Sequence, residues 1–393
     1  MNGINERIQY LNSVGYPVGA DDLAANAKKT VIVGMSGGVD SSATAIIIKL
    51  LGYKTIGMFM RNWEEIDADG VCTAEAEYQD VIRVCEEIDI PYYSVNFSEE
   101  YKEFVFNDFV QEYKEGHTPN PDILCNREIK FKVFFNKAKE FGADYLATGH
   151  YCQKQMIDAK AYLKKGSDNK KDQTYFLYAI DSEVLKDVLF PIGHLPKPEV
   201  RKIAEKFNLI THDKKDSTGI CFIGERNFKK FLSQYIKSKQ GKFVHLDDSR
   251  TLGNHDGMCF YTIGQRKGLG LGGPGGPWFV AKKDIENNIV YVVEGEEHPA
   301  LYADDLIADE ITWITKEPVF PLSCSAKIRY RQADQTCTVN KEGDELKVTF
   351  DKPQRAISLR QSLVIYQDDI CLGGGMIKVS GETYFEKNIE LIR

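Results

Sequence analysis

Apolar positions change period along the first half of the chain. Thr30–Met35 is a β-branched apolar run that reads as a strand. Ser41–Leu51 repeats its apolar residues at helical spacing, and Lys54–Met60 is strand-like again. A helical pattern runs through Tyr78, Val81, Val84, Cys85 and Ile88, followed by a strand at Tyr92–Asn96. Tyr101–Tyr113 is amphipathic at helical spacing, Phe131–Phe141 reads as a helix, and Tyr145–Thr148 as a strand. Strands alternating with helices of about ten residues or more predict an α/β fold built on a doubly wound parallel sheet. Ligands of such sheets bind beyond the carboxyl ends of the strands, where Ser36–Ser42, Met60 and Gly149-His150 fall.

From about Gly241 the texture changes. Met258–Ile263, Trp278–Ala281, Ile289–Glu294, Ser325–Arg331, Leu346–Phe350 and Ser362–Tyr366 are short β-branched or aromatic runs bounded by Gly, Asp, Asn or Pro. They predict two smaller, mainly β domains, barrels or sandwiches. The expected organisation is an N-terminal extension over 1–29 and an α/β domain over 30–235. A small β-rich domain over 236–303 and a C-terminal β-barrel over 304–393 complete it. The glycine-dense Gly268–Pro277 follows no strand-to-helix pattern and reads as a loop, not a phosphate cradle.

Composition narrows the class. A chain of 393 residues holds about two to four domains. Its longest apolar run, Ala43–Leu51, is interrupted by Lys49 and is far short of the ~18 residues of a membrane span. The first 29 residues have acidic positions and no apolar core, unlike a signal or transit peptide. The nine cysteines form no C-x-x-C pair, which argues against a disulfide framework and a zinc ribbon. A soluble protein of the reducing cytoplasm, with no membrane partner, is expected. The net charge of −8 decides nothing about nucleic acid, because phosphate contacts depend on local patches. Basic clusters exist at Lys164, Lys165, Lys170 and Lys171, and at Lys327, Arg329 and Arg331, although solvated faces look the same.

Candidate chemistry concentrates in Gly34-Met35-Ser36-Gly37-Gly38-Val39-Asp40-Ser41-Ser42. A strand, a glycine turn and a helix N-terminus converge free N–H groups and a positive dipole end on one point, an anion site. The Lys of a Walker A loop is missing, which argues against γ-phosphate transfer. The string resembles the S-G-G-x-D-S loop of ATP pyrophosphatases.

A second stretch, Thr118–Phe131, begins with two prolines that fix an extended loop, and spaces Asp122 and Cys125 three apart where a helix begins. A cysteine there, near Arg127 and Lys130, is expected to have a lowered pKa, although a buried inert thiol has the same sequence. Cys221, in Asp216-Ser-Thr-Gly-Ile-Cys221, reads equally as a core cysteine or as part of a mobile segment between Gly219 and Gly224. Lys171-Asp172-Gln173 offers a phosphate contact and an amide pair suited to RNA, or simply a polar helix start. His150 is either a phosphate ligand or a satisfied polar residue at a strand end. No second His or Cys lies at metal-ligand spacing from it, so no metal site is expected there.

In order along the chain, these motifs resemble the tRNA 2-thiouridylases, a branch of the ATP pyrophosphatases. Gly57–Trp63, Ile328–Arg331 and Cys371–Gly375 add to the likeness. The resemblance implies that Gly34–Ser41, Met60 and Gly149 bind ATP, with Mg²⁺ bridging the phosphates. It implies that Asn120, Pro121 and Asp122 meet the wobble uridine of a tRNA. His150, Lys171, Asp172, Gln173, Arg329, Tyr330 and Gln361 would contact the same RNA. Cys221 would carry sulfur as a persulfide loaded by a cysteine desulfurase or sulfur-relay protein. Cys125 would be the second cysteine, leaving a Cys125–Cys221 disulfide, with Asp122 as general acid or base. The family's Pro-Gly-Gln reads Leu359-Arg360-Gln361 here. Other ATP pyrophosphatases need no paired cysteines, a sulfur carrier would release no pyrophosphate on meeting tRNA, and an iron–sulfur thiolase would absorb as a cluster.

Overall fold

A computed structural model describes residues 3–63, 73–216, 228–272 and 275–391. The chain divides into two compact units. The first comprises 1–105, 122–225 and 369–372; the second comprises 106–121, 226–368 and 373–393.

The first unit is built on a parallel sheet of β1 (Thr30–Met35), β2 (Lys54–Arg61), β3 (Tyr92–Asn96), β4 (Tyr145–Ala147) and β7 (Val188–Leu189), in the order β3-β2-β1-β4-β7. β1 is central, with Val31 opposite both Thr55 and Tyr145. Successive strands run outward from β1 to β3, and the chain then returns to β1's other side at β4. The order therefore reverses between β1 and β4, and a crevice opens there at the carboxyl ends. A hairpin of β5 (Cys152–Ile157) and β6 (Lys160–Lys165) also pairs with Ile370 and Cys371.

Helix α3 (Val39–Leu50) follows β1 directly. It buries Ile46, Ile47, Ile48 and Leu50, each worth about 1.5–3 kcal/mol of apolar transfer. The first residues are integral to this core. Helices α1 (Ile4–Ser13) and α2 (Ala20–Asn26) contribute Leu11 and Leu23 to it. Arg7 donates to the carbonyls of Leu50 and Lys49, satisfying orphan acceptors at the C-terminal end of α3. Helix α4 (Thr73–Glu87) joins the same core through Val81, Val84 and Cys85. The helix expected over Phe131–Phe141 starts earlier, at Pro121. It passes through a π-helical stretch, Cys125–Phe134, before a last α-helical segment, Phe135–Glu140.

The second unit is mainly β, as its composition predicts. Strands β8 (Gly241–His245), β9 (Thr251–His255), β10 (Trp278–Asp284) and β11 (Ile289–Glu294) form one sheet, ordered β10-β11-β8-β9. The remaining strands are β12 (Tyr302–Trp313), β13 (Leu322–Lys327), β14 (Gln335–Glu342), β15 (Glu345–Arg355), β16 (Ser362–Gln367) and β17 (Ile370–Ser380). They run β12-β15-β14-β13-β16-β17, and β12 also pairs with β17, which closes a barrel and removes its edges.

Two strand expectations fail locally. Met258–Ile263 forms no strand: Met258–Phe260 is a 3₁₀ turn after Gly257 (φ 149°), and its apolar side chains pack beside Phe243 and Trp278. Side chains gathered on one core do not need strand alternation. The run Ser325–Arg331 leaves the sheet after Lys327, and Arg331 adopts a left-handed φ of 64°. Gly273 and Pro274, in the glycine-dense loop, lie outside the described residues. Among the described residues no helix is long and apolar enough to cross a membrane.

Candidate functional site

The loop from β1 into α3 lies at the crevice between β1 and β4. Gly38 is the N-cap of α3 and has no side chain to cap the first turn, so the helix N-terminus presents its amides to the crevice. Gly37 takes a left-handed φ of 69°, and a Cβ on it would lie 2.6 Å from the Glu77 carbonyl oxygen of α4. Only glycine fits this turn. The hydroxyls organise the loop internally. Ser41 Oγ accepts from the Ser36 amide at 3.1 Å and donates to the Gly38 carbonyl at 3.0 Å, while Ser42 Oγ donates to the same carbonyl at 2.9 Å. Lys214 Nζ bonds the Gly37 carbonyl (2.8 Å) and the Asp80 carboxylate (2.7 Å), fastening the loop's outer wall.

Gly149 brings the end of β4 against this loop. A Cβ at 149 would sit 2.9 Å from the Asp40 carbonyl carbon and 3.0 Å from the Ser41 nitrogen. Its neighbour His150 is half-buried, with Nδ1 bonded to the Thr148 hydroxyl at 2.8 Å. Burial, then the charge of Lys130, pushes its pKa well below the ordinary imidazole value, so the ring is neutral. Met60 stands at the carboxyl end of β2, opposite Val95.

The helix carrying Asp122 and Cys125 packs on the same crevice wall. Phe134 lies against Gly34, where a Cβ would meet its ring at 3.2 Å, and Phe131 packs against His150 with ring centroids 5.8 Å apart. Asn126 donates to the Phe176 carbonyl at 3.1 Å. Cys125 is only 1% exposed and sits one turn in from Pro121. The thiol is therefore buried, as are the neighbouring Ile123, Ile129 and Phe131 of the same helix. Cys221 lies outside the described residues.

Asp40 is the acidic member of the loop. Its carboxylate accepts from Tyr151 Oη at 2.7 Å and from Lys197 Nζ at 2.8 and 2.9 Å. Lys197 also lies 2.8 Å from Asp216, which receives Lys171 at 2.6 Å and Arg201 at 2.9 Å. Burial pushes the Asp216 carboxyl up, but hydrogen bonds from Lys171 and Lys197 and their charges hold it at about 2. Gln173 exchanges two 2.9 Å bonds with the backbone of Tyr151. Asp172 is buried and accepts from Gly166 N and Thr174, a structural role. Sequence reading missed Tyr151, Lys197, Arg201 and Lys214. A lysine at the first turn of a helix, Lys197–Lys206, opposes the helix dipole, an anomaly that marks Lys197 without naming its partner.

The other candidate residues lie in the second unit. Gln361 Nε2 donates to the Thr118 carbonyl at 2.5 Å, holding the loop that leads to Asn120 and Pro121. Arg360 precedes it with φ 64°, ion-paired to Glu112 (2.8 Å) and Glu310 (2.7 Å). Arg329 donates to the Arg355 carbonyl, and Tyr330 has the Arg331 guanidinium over its ring at 5.4 Å. Among the described residues, the carboxylate–imidazole cluster with metal-like spacing is Glu112, Glu115 and His117. Arg360 and His117 already occupy Glu112, which makes it an ion-pair cluster.

Three family models match the chain: a tRNA methyl transferase HUP domain over 29–225, a tRNA methyl transferase PRC-barrel domain over 229–294, and an aminomethyltransferase beta-barrel domain over 303–377. The chain is 55% identical over 366 residues to the tRNA-specific 2-thiouridylase of Protochlamydia amoebophila, covering 93% of this chain and 97% of that one. It is 54% identical to the protein of the same name from Halalkalibacterium halodurans, covering 88% of this chain and 94% of that one. The Streptococcus mutans relative is 52% identical, covering 90% of this chain and 96% of that one.

Proposed function

We propose that this chain, which belongs to the family of tRNA-specific 2-thiouridylases, uses ATP to replace the 2-oxygen of a tRNA wobble uridine with sulfur. The observation that carries the reading is the pairing of two parts in one crevice. A helix N-terminus with an S-G-G-x-D-S turn is packed, through Phe134 on Gly34, against the helix that carries Cys125.

The chemistry accounts for both parts. A uracil carbonyl is a poor electrophile and oxide a poor leaving group. Attack of the 2-oxygen on the α-phosphorus of ATP forms an O–P bond and expels pyrophosphate, which the open amides at Gly37–Ser41 receive. The terminal sulfur of a Cys221 persulfide then attacks C2, and AMP leaves with the former uridine oxygen. The Cys125 thiolate attacks the Cys221 sulfur, breaking the S–S bond, so that sulfur stays on C2 and a Cys125–Cys221 disulfide remains. A thiol reductant supplies the two electrons that restore both cysteines. Asp122, one helical turn before Cys125, is the group that exchanges a proton with the base.

Mg²⁺ would travel with the nucleotide. Both Asp40 oxygens are committed to Lys197 and Tyr151, so the loop offers the ion hydroxyls and not a free carboxylate. An ion held mainly by phosphate oxygens and water fits that donor set and would neutralise the leaving pyrophosphate.

Lys171, Gln173, Arg329, Tyr330 and Gln361 are assigned to tRNA, and Asn120 and Pro121 to the extruded uridine. Extrusion costs little in a single-stranded loop. The sulfur donor is a persulfide-bearing protein that loads Cys221. Retardation of unmodified tRNA in a thiol-sensitive gel tests the whole assignment. The retardation should require ATP and a desulfurase sulfur source, and should vanish in Cys125→Ala and in Cys221→Ala. Thiolation that survives either substitution would discard the two-cysteine mechanism.

A further inference from the structure

An anion site with a carboxylate in its own loop poses an electrostatic problem. Asp40 stands two residues past Gly38, on the first turn of the helix whose N-terminus faces the crevice. A bare carboxylate there would repel a polyphosphate: two unit charges about 4 Å apart interact strongly wherever water is partly excluded. The structure answers this with one side chain. Lys197 Nζ lies 2.8 and 2.9 Å from the two Asp40 oxygens, and its side chain is only 10% exposed. Tyr151 adds a neutral donor at 2.7 Å. Burial and then Asp40 push its hydroxyl pKa well up, so it stays protonated.

The lysine is itself held. Its ammonium also touches Asp216 and stands over the Tyr151 ring at 5.6 Å, and its amide donates to Asp168 at 3.2 Å. The partners lie 157 residues apart in the chain, so no local pattern announces the pair.

We propose that Lys197 is the counter-charge that makes the Asp40-bearing loop compatible with a polyphosphate, and that the Asp40 carboxylate is an anchor for Lys197 rather than a ligand of phosphate or metal. The proposal rests on the ATP reading of the loop and adds a positioning residue to it. Asp40 fixes the ammonium beside the first turn of α3, and the ammonium cancels the Asp40 field. Removing Lys197 alone therefore leaves a partly buried carboxylate uncompensated at the mouth of the site. Removing both charges restores neutrality.

The test is a double-substitution cycle on ATP binding, measured calorimetrically with the full chain and ATP-Mg²⁺ in the absence of tRNA. Lys197→Met should weaken ATP at least about tenfold. Asp40→Asn should change it by about twofold or less, and the double variant should return to within about threefold of wild type. Lys197→Arg, which keeps the charge, should bind better than Lys197→Met. If Lys197→Met fails to fold, Tyr151→Phe supplies the second reading: a smaller loss, also reversed by Asp40→Asn. A lysine that touched phosphate directly would leave the double variant as weak as Lys197→Met, and a carboxylate that held the metal would make Asp40→Asn severe. Either result overturns the proposal while the ATP reading stands. Wild-type protein that binds no ATP would instead remove the reading beneath it.

Discussion

Gly149 meets the peptide joining Asp40 to Ser41 so closely that a single added carbon would lie 2.9 Å from the backbone. The close approach sets the crevice between β1 and β4, because it docks the end of β4 on the first turn of α3. Gly149→Ala forces that turn and β4 apart. Overpacking of this kind costs about 1–3 kcal/mol. The expected outcome is a lower melting temperature and a raised ATP KM. A titration with ATP showing wild-type affinity in a folded Gly149→Ala protein would contradict the role given to this contact.

Arg360 occupies a left-handed conformation that costs a non-glycine residue about 1–2 kcal/mol, offset by ion pairs to Glu112 and Glu310. Two substitutions separate these terms. Arg360→Ala loses the pairs and keeps the backbone cost; Arg360→Gly loses the pairs and removes it. Thermal unfolding should rank wild type and Arg360→Gly above Arg360→Ala, with the glycine variant about 1 kcal/mol more stable than the alanine variant. Equal melting temperatures for the two variants would show that the backbone term is absent.

Asp216 carries a pH signature. Its folded-state pKa of about 2 lies below the ordinary aspartate value of 3.8, so between those values the unfolded chain binds more protons than the folded one. Its contribution to stability is complete above about pH 4 and is lost as the pH falls towards 2. Urea unfolding at stepped pH should therefore show a steeper acid decline in wild type than in Asp216→Asn, with the two curves converging near pH 2. Parallel curves would mean that Lys171, Lys197 and Arg201 do not hold this carboxylate in solution.

The difference between what sequence shows and what it hides is visible in these residues. The β1–glycine turn–α3 unit and the β4-Gly149-His150 corner are local, and strand alternation, helix period and glycine spacing reveal them directly. The glycines could be singled out, but their neighbours could not: Glu77 beside Gly37 and Phe134 beside Gly34 come from distant elements. Lys197 and Tyr151 reach Asp40 across 157 and 111 residues, and nothing in Leu195-Pro-Lys-Pro198 points to a nucleotide loop. Cys125 illustrates a choice that local sequence leaves open. Its sequence neighbours are polar, yet the face it shares with Ile129 is buried, and helical period rather than adjacency decides exposure. Met258–Ile263 fails for a related reason, since an apolar run of that length is ambiguous between a strand and a packed turn.

The most direct measurement follows one oxygen atom. Unmodified tRNA whose wobble uridine carries ¹⁸O at the 2-position would be thiolated in a single turnover with ATP, and the AMP analysed by mass spectrometry. Activation of the uridine by adenylation predicts that each AMP formed with a thiolated uridine carries one ¹⁸O on its phosphate. Thiolated tRNA accompanied by unlabelled AMP, with the label in water or pyrophosphate, would contradict it.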